Sequence, residues 1–279
     1  MPKTIVITGA SDGIGAAAAR LLHAHGHTIA IVGRSPEKTM SVGTELDCDY
    51  FVADFSRFSD VRHLASTLLS NYPRIDVLAN NAGGVFGDRK LTVDGFEKTL
   101  QINHLSPFLL TNLLLPALIS SGGSVIQTTS VGARLFGHLD LQDMNNDRKF
   151  SPRKAYGDAK LMNILFTQEL HARFHTRGLS TAAFHPGAIA TNFASETTGD
   201  MRLVYHTAVG RLFLRAPNKG AEQLVWLAST RAGPDWRSGV YYERKRPASR
   251  PPRQAGDREL ARLLWERSAA MTNTGPSGF

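Results

Sequence analysis

Tyr156 and Lys160 stand four residues apart inside a strongly helical run, residues 155–175. At that spacing a helix carries both on one face, one above the other. A cation held beside a tyrosine favours the phenolate and lowers the tyrosine pKa. The phenol then becomes a proton donor and acceptor that works near neutral pH. The spacing alone also fits an ordinary surface pair on an amphipathic helix, so its meaning rests on what else the chain supplies.

Thr8-Gly-Ala-Ser-Asp-Gly-Ile-Gly15 follows a strand-like run and opens a helical one, with Gly9, Gly13 and Gly15 spaced G-x-x-x-G-x-G. Glycines permit a tight turn and let the backbone approach a pyrophosphate closely. The helix N-terminus adds free N–H groups and the positive end of a dipole. Strand, turn and helix come in the order that such a site requires. The second strand ends at Gly33-Arg34-Ser35, where dinucleotide folds that bind NAD carry an acid for the ribose 2′-hydroxyl. A guanidinium there suits a 2′-phosphate, so NADP(H) is expected in preference to NAD(H).

Asn103 lies in a helical run four residues before Pro107. Proline has no N–H for the carbonyl four residues earlier. The Asn103 carbonyl is therefore expected to be free and the helix bent there, with a water held behind Lys160 on a path to solvent. Thr128, Thr129 and Ser130 offer three neighbouring hydroxyls at the end of another strand. Composition does not choose among them.

The elements that must position these groups alternate along the chain. Strand candidates are 4–8, 28–32, 49–53, 76–79, 124–128, 180–184 and a last one near 239–242. Helical runs are expected over 13–25, 60–69, 95–118, 153–175, 218–229 and 258–271. Most strand candidates are apolar without clean alternation, as for strands covered on both faces. The alternation predicts a single α/β domain, doubly wound, with a parallel sheet of about seven strands and right-handed connections. Residues of about 188–217 read as a segment over the substrate, and 243–279 as a C-terminal extension.

With these residues in order, the chain resembles the short-chain dehydrogenase/reductase family over roughly residues 3 to 242. The glycine turn, Asn80-Asn-Ala-Gly83, the set Asn103, Ser130, Tyr156 and Lys160, and Pro186-Gly187 with Thr191 carry the likeness. The retinol dehydrogenase-like branch is resembled through Gly33-Arg34, Asn103-His-Leu, Lys160-Leu-Met-Asn163, Leu165-Phe166-Thr167, His185-Pro186-Gly187 and the closing Leu263-Leu-Trp-Glu266. Asp158 and Ala159 stand where a serine often precedes the family's lysine.

The resemblance implies a Rossmann fold and a catalytic set of Asn103, Ser130, Tyr156 and Lys160, with Ser130 picked from the three hydroxyls. It implies a cofactor site of Gly9, Ser11, Asp12, Gly13, Ile14, Gly15, Arg34, Ser35, Asp54, Phe55, Asn80, Ala82, Gly83, Tyr156, Lys160, Pro186, Gly187, Ile189 and Thr191. Tyr156 would pass a proton to or from the substrate oxygen. Lys160 would lower its pKa and bind the nicotinamide ribose, and hydride transfer would interconvert an alcohol and a carbonyl. Apolar residues of the loops, Phe136, Leu139, Phe193, Met201 and Leu203, suggest a lipophilic substrate. Helices bearing Asn103 and Tyr156 often pair across a dimer in this family, so a homodimer is one arrangement and core packing the simpler one.

Composition sets the frame. The chain has 279 residues, 42% of them hydrophobic, and Cys48 is its one cysteine, so no intramolecular disulfide can form. Ten histidines lack zinc-ligand spacing, and no metal is expected. No apolar run is expected to span a bilayer and no signal peptide is read at the start, which together suggest the cytoplasm. The formal charge is +8, with Arg244, Lys245, Arg246, Arg250 and Arg253 set among Pro247, Pro251 and Pro252. This stretch is read as a solvated segment rather than a nucleic-acid patch, because no aromatics for base stacking lie among the charges. The rival readings are an idle NADP(H)-sensing protein, a membrane- or nucleic-acid-surface protein acting through 244–253, and an epimerase-type relative, which generally carries a larger C-terminal domain.

Overall fold

The computed structural model describes residues 1–187 and 217–275. β1 (Thr4–Thr8), β2 (Thr28–Gly33), β3 (Asp49–Val52), β4 (Val77–Asn80), β5 (Ser124–Thr128), β6 (Ser180–His185) and β7 (Val240–Glu243) form one parallel sheet. A short β8 (Arg246–Pro247) adds antiparallel to β7, and the spatial order is β3-β2-β1-β4-β5-β6-β7-β8. Among the described residues the longer helices are α1 (Gly13–Ala24), α2 (Pro36–Leu46), α3 (Phe58–Asn71), α4 (Lys98–Ser120), α5 (Pro152–Phe174), α6 (Pro217–Ser229) and α7 (Arg258–Thr272).

Both faces of the sheet are covered, which explains the unbroken apolar strands. Ile5, Ile7, Val77 and Ile126 pack with the alanine run Ala16–Ala19 of α1 and with Leu224 of α6. Their sequence neighbours Val6, Leu78 and Val125 point the other way, to Phe108 of α4, Phe166 of α5 and Trp265 of α7. The period of two is present in space even though both sides are hydrophobic.

Three expectations change. α4 is 23 residues long and apolar enough to cross a membrane by length and composition, contrary to the reading of the sequence, but 78% of its apolar window is buried inside the fold. α2 was not foreseen. Ser35 caps it by accepting from the Lys38 N–H at 3.4 Å, and its buried side is only Thr39, Val42, Gly43 and Leu46, too polar a stripe to read as a helix. The basic segment after β7 is solvated, as expected, but is also folded into a hairpin. Arg244 and Lys245 both hold positive φ (51° and 61°) in the two-residue turn between β7 and β8, the geometry that matches strand twist in a hairpin.

Candidate active site

Strand order reverses between β1 and β4, so the carboxyl ends of the two strands open a crevice at the point where α/β sheets bind ligands. A cavity of about 310 Å³ lies there. At one end is the glycine turn. Gly9 has φ +66°, and a Cβ on it would stand 2.8 Å from the Ala82 Cα, so only glycine lets the turn close against the loop after β4. A Cβ on Gly15 would stand 2.3 Å from the Gly9 carbonyl, so Gly15 seats the helix on the turn. Ser11, Asp12, Gly13 and Ile14 line the cavity. Asp12 caps α1, its Oδ1 accepting from the Gly13 N–H at 2.7 Å, and no acidic residue follows in the first turn. Beyond that cap the first turn carries no acid, which suits its remaining N–H groups to a phosphate.

The sequence reading missed the clasp that fixes this turn. Thr8 Oγ1 accepts from the N–H groups of Asn81 and Ala82, both at 3.0 Å. Asn81 Nδ2 donates back to the carbonyls of Thr8 at 3.0 Å and Gly9 at 3.2 Å. Asn81 lines the cavity with Ala82 and Gly83. Asn80, expected beside the cofactor, is buried with its Nδ2 on Thr111 Oγ1 at 2.8 Å, bracing β4 against α4. Two adjacent asparagines on a strand end point to opposite faces, and the motif does not say which face holds the site.

Arg34 lines the cavity at the end of β2, while Ser35 turns away to cap α2. Lys38, one turn into α2, places its Nζ 3.4 Å from Asp12 Oδ2. Asp54 and Phe55 form the adjoining wall. The Asp54 carboxylate accepts from the N–H and hydroxyl of Ser56 at 2.9 and 2.8 Å, which fixes the loop after β3. Positive-φ glycine and helix N-terminus together fit the pyrophosphate of a dinucleotide.

The other end holds Ser130, Tyr156 and Lys160. Lys160 is buried in α5, and its Nζ donates to the Thr128 carbonyl at 3.1 Å and lies 5.6 Å from the Tyr156 ring centroid. Burial lowers the Lys160 pKa to about 7, because the charged form is desolvated. The three hydroxyls after β5 separate cleanly. Thr128 Oγ1 is directed to Asn81 Oδ1 at 3.3 Å, and Thr129 Oγ1 donates to the Lys160 carbonyl at 2.8 Å. Ser130 remains beside the phenol, since a Cβ on Gly132 would stand 3.2 Å from Tyr156 Cε1 and 3.4 Å from Ser130 Oγ.

Asn103 sits in a π-helical turn, Gln101–Leu105, rather than at a simple proline bend. Its side chain staples the loop after β4, accepting from the Gly84 N–H at 3.1 Å and donating to the Gly84 and Thr99 carbonyls at 2.9 and 3.0 Å. Its main-chain carbonyl is not free as expected, because Asn163 Nδ2 donates to it at 3.0 Å. Gly83 lies between Asn103 and the lysine, with a Cβ there only 2.4 Å from Asn103 Oδ1 and 3.1 Å from Lys160 Nζ.

The family profile described as short chain dehydrogenase matches residues 3–202. The chain belongs to that family. A Streptomyces protein provisionally named daunorubicin C-13 ketoreductase DnrU is 41% identical to this dehydrogenase over 96% of the chain and 92% of its own length. Human retinol dehydrogenase 13 is 33% identical over 96% of the chain and 84% of its own length. A crystal structure of an uncharacterised protein from Mycobacterium paratuberculosis superposes with a TM-score of 0.79 at 32% identity, covering 97% of this chain and 93% of the other. The dehydrogenase is therefore an oxidoreductase that interconverts alcohols and carbonyls with a nicotinamide dinucleotide.

At the substrate side, the dehydrogenase uses Gly157 and Asp158, neither given a role from sequence, to dock the loop after Ser130. A Cβ on Gly157 would stand 2.7 Å from the Gly137 nitrogen and the Phe136 carbonyl carbon. Asp158 accepts from the His138 N–H at 2.7 Å and pairs with Lys154, and burial raises its pKa despite both. Gln254 then bonds Leu139 twice, accepting from its N–H at 2.9 Å and donating to its carbonyl at 3.1 Å, so the C-terminal extension closes over this loop. Beyond β6, Pro186 and Gly187 line the cavity, and the Gly187 N–H donates to His185 Nδ1 at 3.0 Å. His185 faces Glu243 instead of the cavity, its Nε2 3.4 Å from Glu243 Oε1. Ile189, Thr191, Phe193, Met201 and Leu203 lie outside the described residues.

Proposed function

We propose that this dehydrogenase works with NADP(H) on a bulky, lipophilic carbonyl or alcohol, with Tyr156 as its acid–base group. The observation that carries the reading is the meeting of Ser130 Oγ and the Tyr156 ring over Gly132, in a cavity that also holds Lys160 and the glycine turn. The bound nicotinamide supplies or accepts the hydride. Ser130 donates a hydrogen bond to the substrate oxygen, and the Tyr156 hydroxyl gives its proton to that oxygen during reduction or takes it back during oxidation. Lys160, held on the Thr128 carbonyl, biases the phenol toward releasing the proton.

Arg34 supports the choice of NADP(H): it occupies the position of the expected acid and lies on the cavity wall, with Lys38 nearby adding a second cation. The ketoreductase and retinol dehydrogenase names of the relatives support a bulky apolar substrate, as do the half-exposed Leu135 and Phe136 one turn beyond Ser130. The protein is read as acting in the cytoplasm. The test is NADPH oxidation and NADP reduction over retinoid, steroid, quinone, aromatic polyketide and aliphatic substrates. Turnover of a bulky ketone or alcohol with NADP(H) preferred is expected. Tight cofactor binding without turnover of any substrate would favour a sensing protein on the same fold.

A further inference from the structure

The π-turn that carries Asn103 is held by a buried polar chain that the acid–base site itself does not contain. Pro107 has no N–H to offer the Asn103 carbonyl. Asn163, one turn beyond Lys160 on α5, supplies the missing donor at 3.0 Å. Because the Asn163 Nδ2 donates there, its Oδ1 is the acceptor end, and it faces His104 Nδ1 at 3.3 Å. His104 must then carry its hydrogen on Nδ1, leaving Nε2 to accept from the Ser268 hydroxyl of α7 at 2.8 Å. All four residues are buried. The Thr272 hydroxyl in turn donates to the Ser268 carbonyl at 2.7 Å.

The surroundings keep this chain in one arrangement. The His104 ring lies 6.1 Å from the ring centroids of both Phe108 and Phe166, and Trp265 of α7 packs on both of those phenylalanines. Burial lowers the His104 pKa to about 4, against the opposing effect of the hydrogen bond that Nδ1 gives to Asn163 Oδ1. The imidazole therefore stays neutral through the working range, with a fixed tautomer. The Asn103 carbonyl can only accept, so it sets the Asn163 amide, and the neutral histidine and Ser268 hold the amide in that orientation. That orientation fixes the Asn103 backbone, and the Asn103 side chain fixes the Gly83–Gly84 loop, which lies against Lys160 Nζ.

We propose that Asn163 is a positioning residue for proton transfer, held by His104 and Ser268, so that the last helix sets the place of the Lys160 ammonium through Asn103. The inference rests on the reading of Tyr156 and Lys160 as the acid–base pair. Asn163 does not touch substrate or cofactor. It donates to a buried carbonyl to which Pro107 can give no hydrogen bond.

The test uses the full chain with NADP(H) and a substrate that the wild type turns over. Asn163→Leu keeps the size of the side chain and removes its donor. It should lower kcat about tenfold or more, the scale of a displaced reacting group, with the KM for NADP(H) little changed. The pH profile of kcat should shift by about half a unit or more, since the environment of the Tyr156–Lys160 pair changes. Ser268→Ala, far from the cavity, should shift the profile in the same direction by less, and Ser268→Thr should restore it. Both variants folded, with kcat per folded molecule and pH profile as in the wild type, overturns the proposal. If Asn163→Leu does not fold, an unshifted profile in Ser268→Ala overturns it alone. Tyr156→Phe, run alongside, separates the two levels: full activity there defeats the underlying acid–base reading, whereas an inactive Tyr156→Phe beside unaffected Asn163 and Ser268 variants defeats only the positioning role.

Discussion

Lys160 Nζ donates to the Thr128 main-chain carbonyl at 3.1 Å, while the carbonyl of Lys160 itself accepts from the neighbouring Thr129 hydroxyl at 2.8 Å. The last residue of β5 and the residue after it thus grip the lysine at both ends, and a side chain with four flexible bonds is delivered to one place. Such a group loses rotamer entropy on ordering, on the order of 2 kcal/mol, and the fold meets that cost with a desolvated, hydrogen-bonded seat.

The seat has a consequence for stability. The Lys160 pKa is lowered from 10.5 to about 7 by burial, so between those values the unfolded chain binds a proton that the folded chain has released. Stability then rises with pH across that window and gains nothing from this group below about pH 7. The difference in unfolding free energy between wild type and Lys160→Met, followed by denaturant titration from pH 6 to 10, should grow in favour of the wild type as pH rises. A pH-independent difference contradicts the assignment.

The same lowered pKa links protons to cofactor binding. Ribose hydroxyls that accept from the Lys160 ammonium favour its charged form, so NADPH binding at pH 8 should be accompanied by proton uptake. Calorimetry in buffers of different ionisation enthalpy measures this directly, and Lys160→Met should abolish most of it.

Arg34→Asp should reverse the cofactor preference. Loss of a charge-assisted bond to a 2′-phosphate is worth about 1.5–3 kcal/mol, which is roughly a ten- to hundredfold fall in kcat/KM for NADP(H). NAD(H) should fall less or improve. Steady-state kinetics with both cofactors decides it, and an unchanged preference removes Arg34 from the site.

Thr8→Val keeps the shape of the clasp and leaves the Asn81 and Ala82 N–H groups without their acceptor. The expected loss is about 1–3 kcal/mol of stability per the cost of buried unpaired donors, with weaker cofactor binding because the glycine turn is no longer tied to β4. Gly157→Val acts on the other side. Its side chain would meet backbone of residues 132–137, so the KM for substrate should rise while cofactor affinity, measured by fluorescence titration, stays near wild type.

What the sequence made legible follows from the range of the forces involved. The seven parallel strands and the glycine turn were readable because apolar periodicity and turn chemistry are local. α2 was hidden because its buried side offers only two apolar side chains, Val42 and Leu46, while at Gly43 a tyrosine of β3 supplies the packing from outside the segment. Family likeness chose Ser130; in the structure the Thr128 and Thr129 hydroxyls donate to Asn81 and Lys160, and Ser130 Oγ accepts from the Gly132 N–H. The expected free carbonyl at Asn103 failed because Pro107 is local and removes one donor, while Asn163 stands 60 positions away and supplies another.

The central claim is that Tyr156 moves the proton that accompanies hydride transfer. Tyr156→Phe keeps the ring beside Gly132 and removes only the hydroxyl, so it tests that claim most directly. With NADPH and a bulky ketone that the wild type reduces, kcat should fall by about two to four orders of magnitude, the usual weight of general acid catalysis, while the Kd for NADPH stays within a few-fold of wild type. Wild-type kcat in this variant would contradict the account.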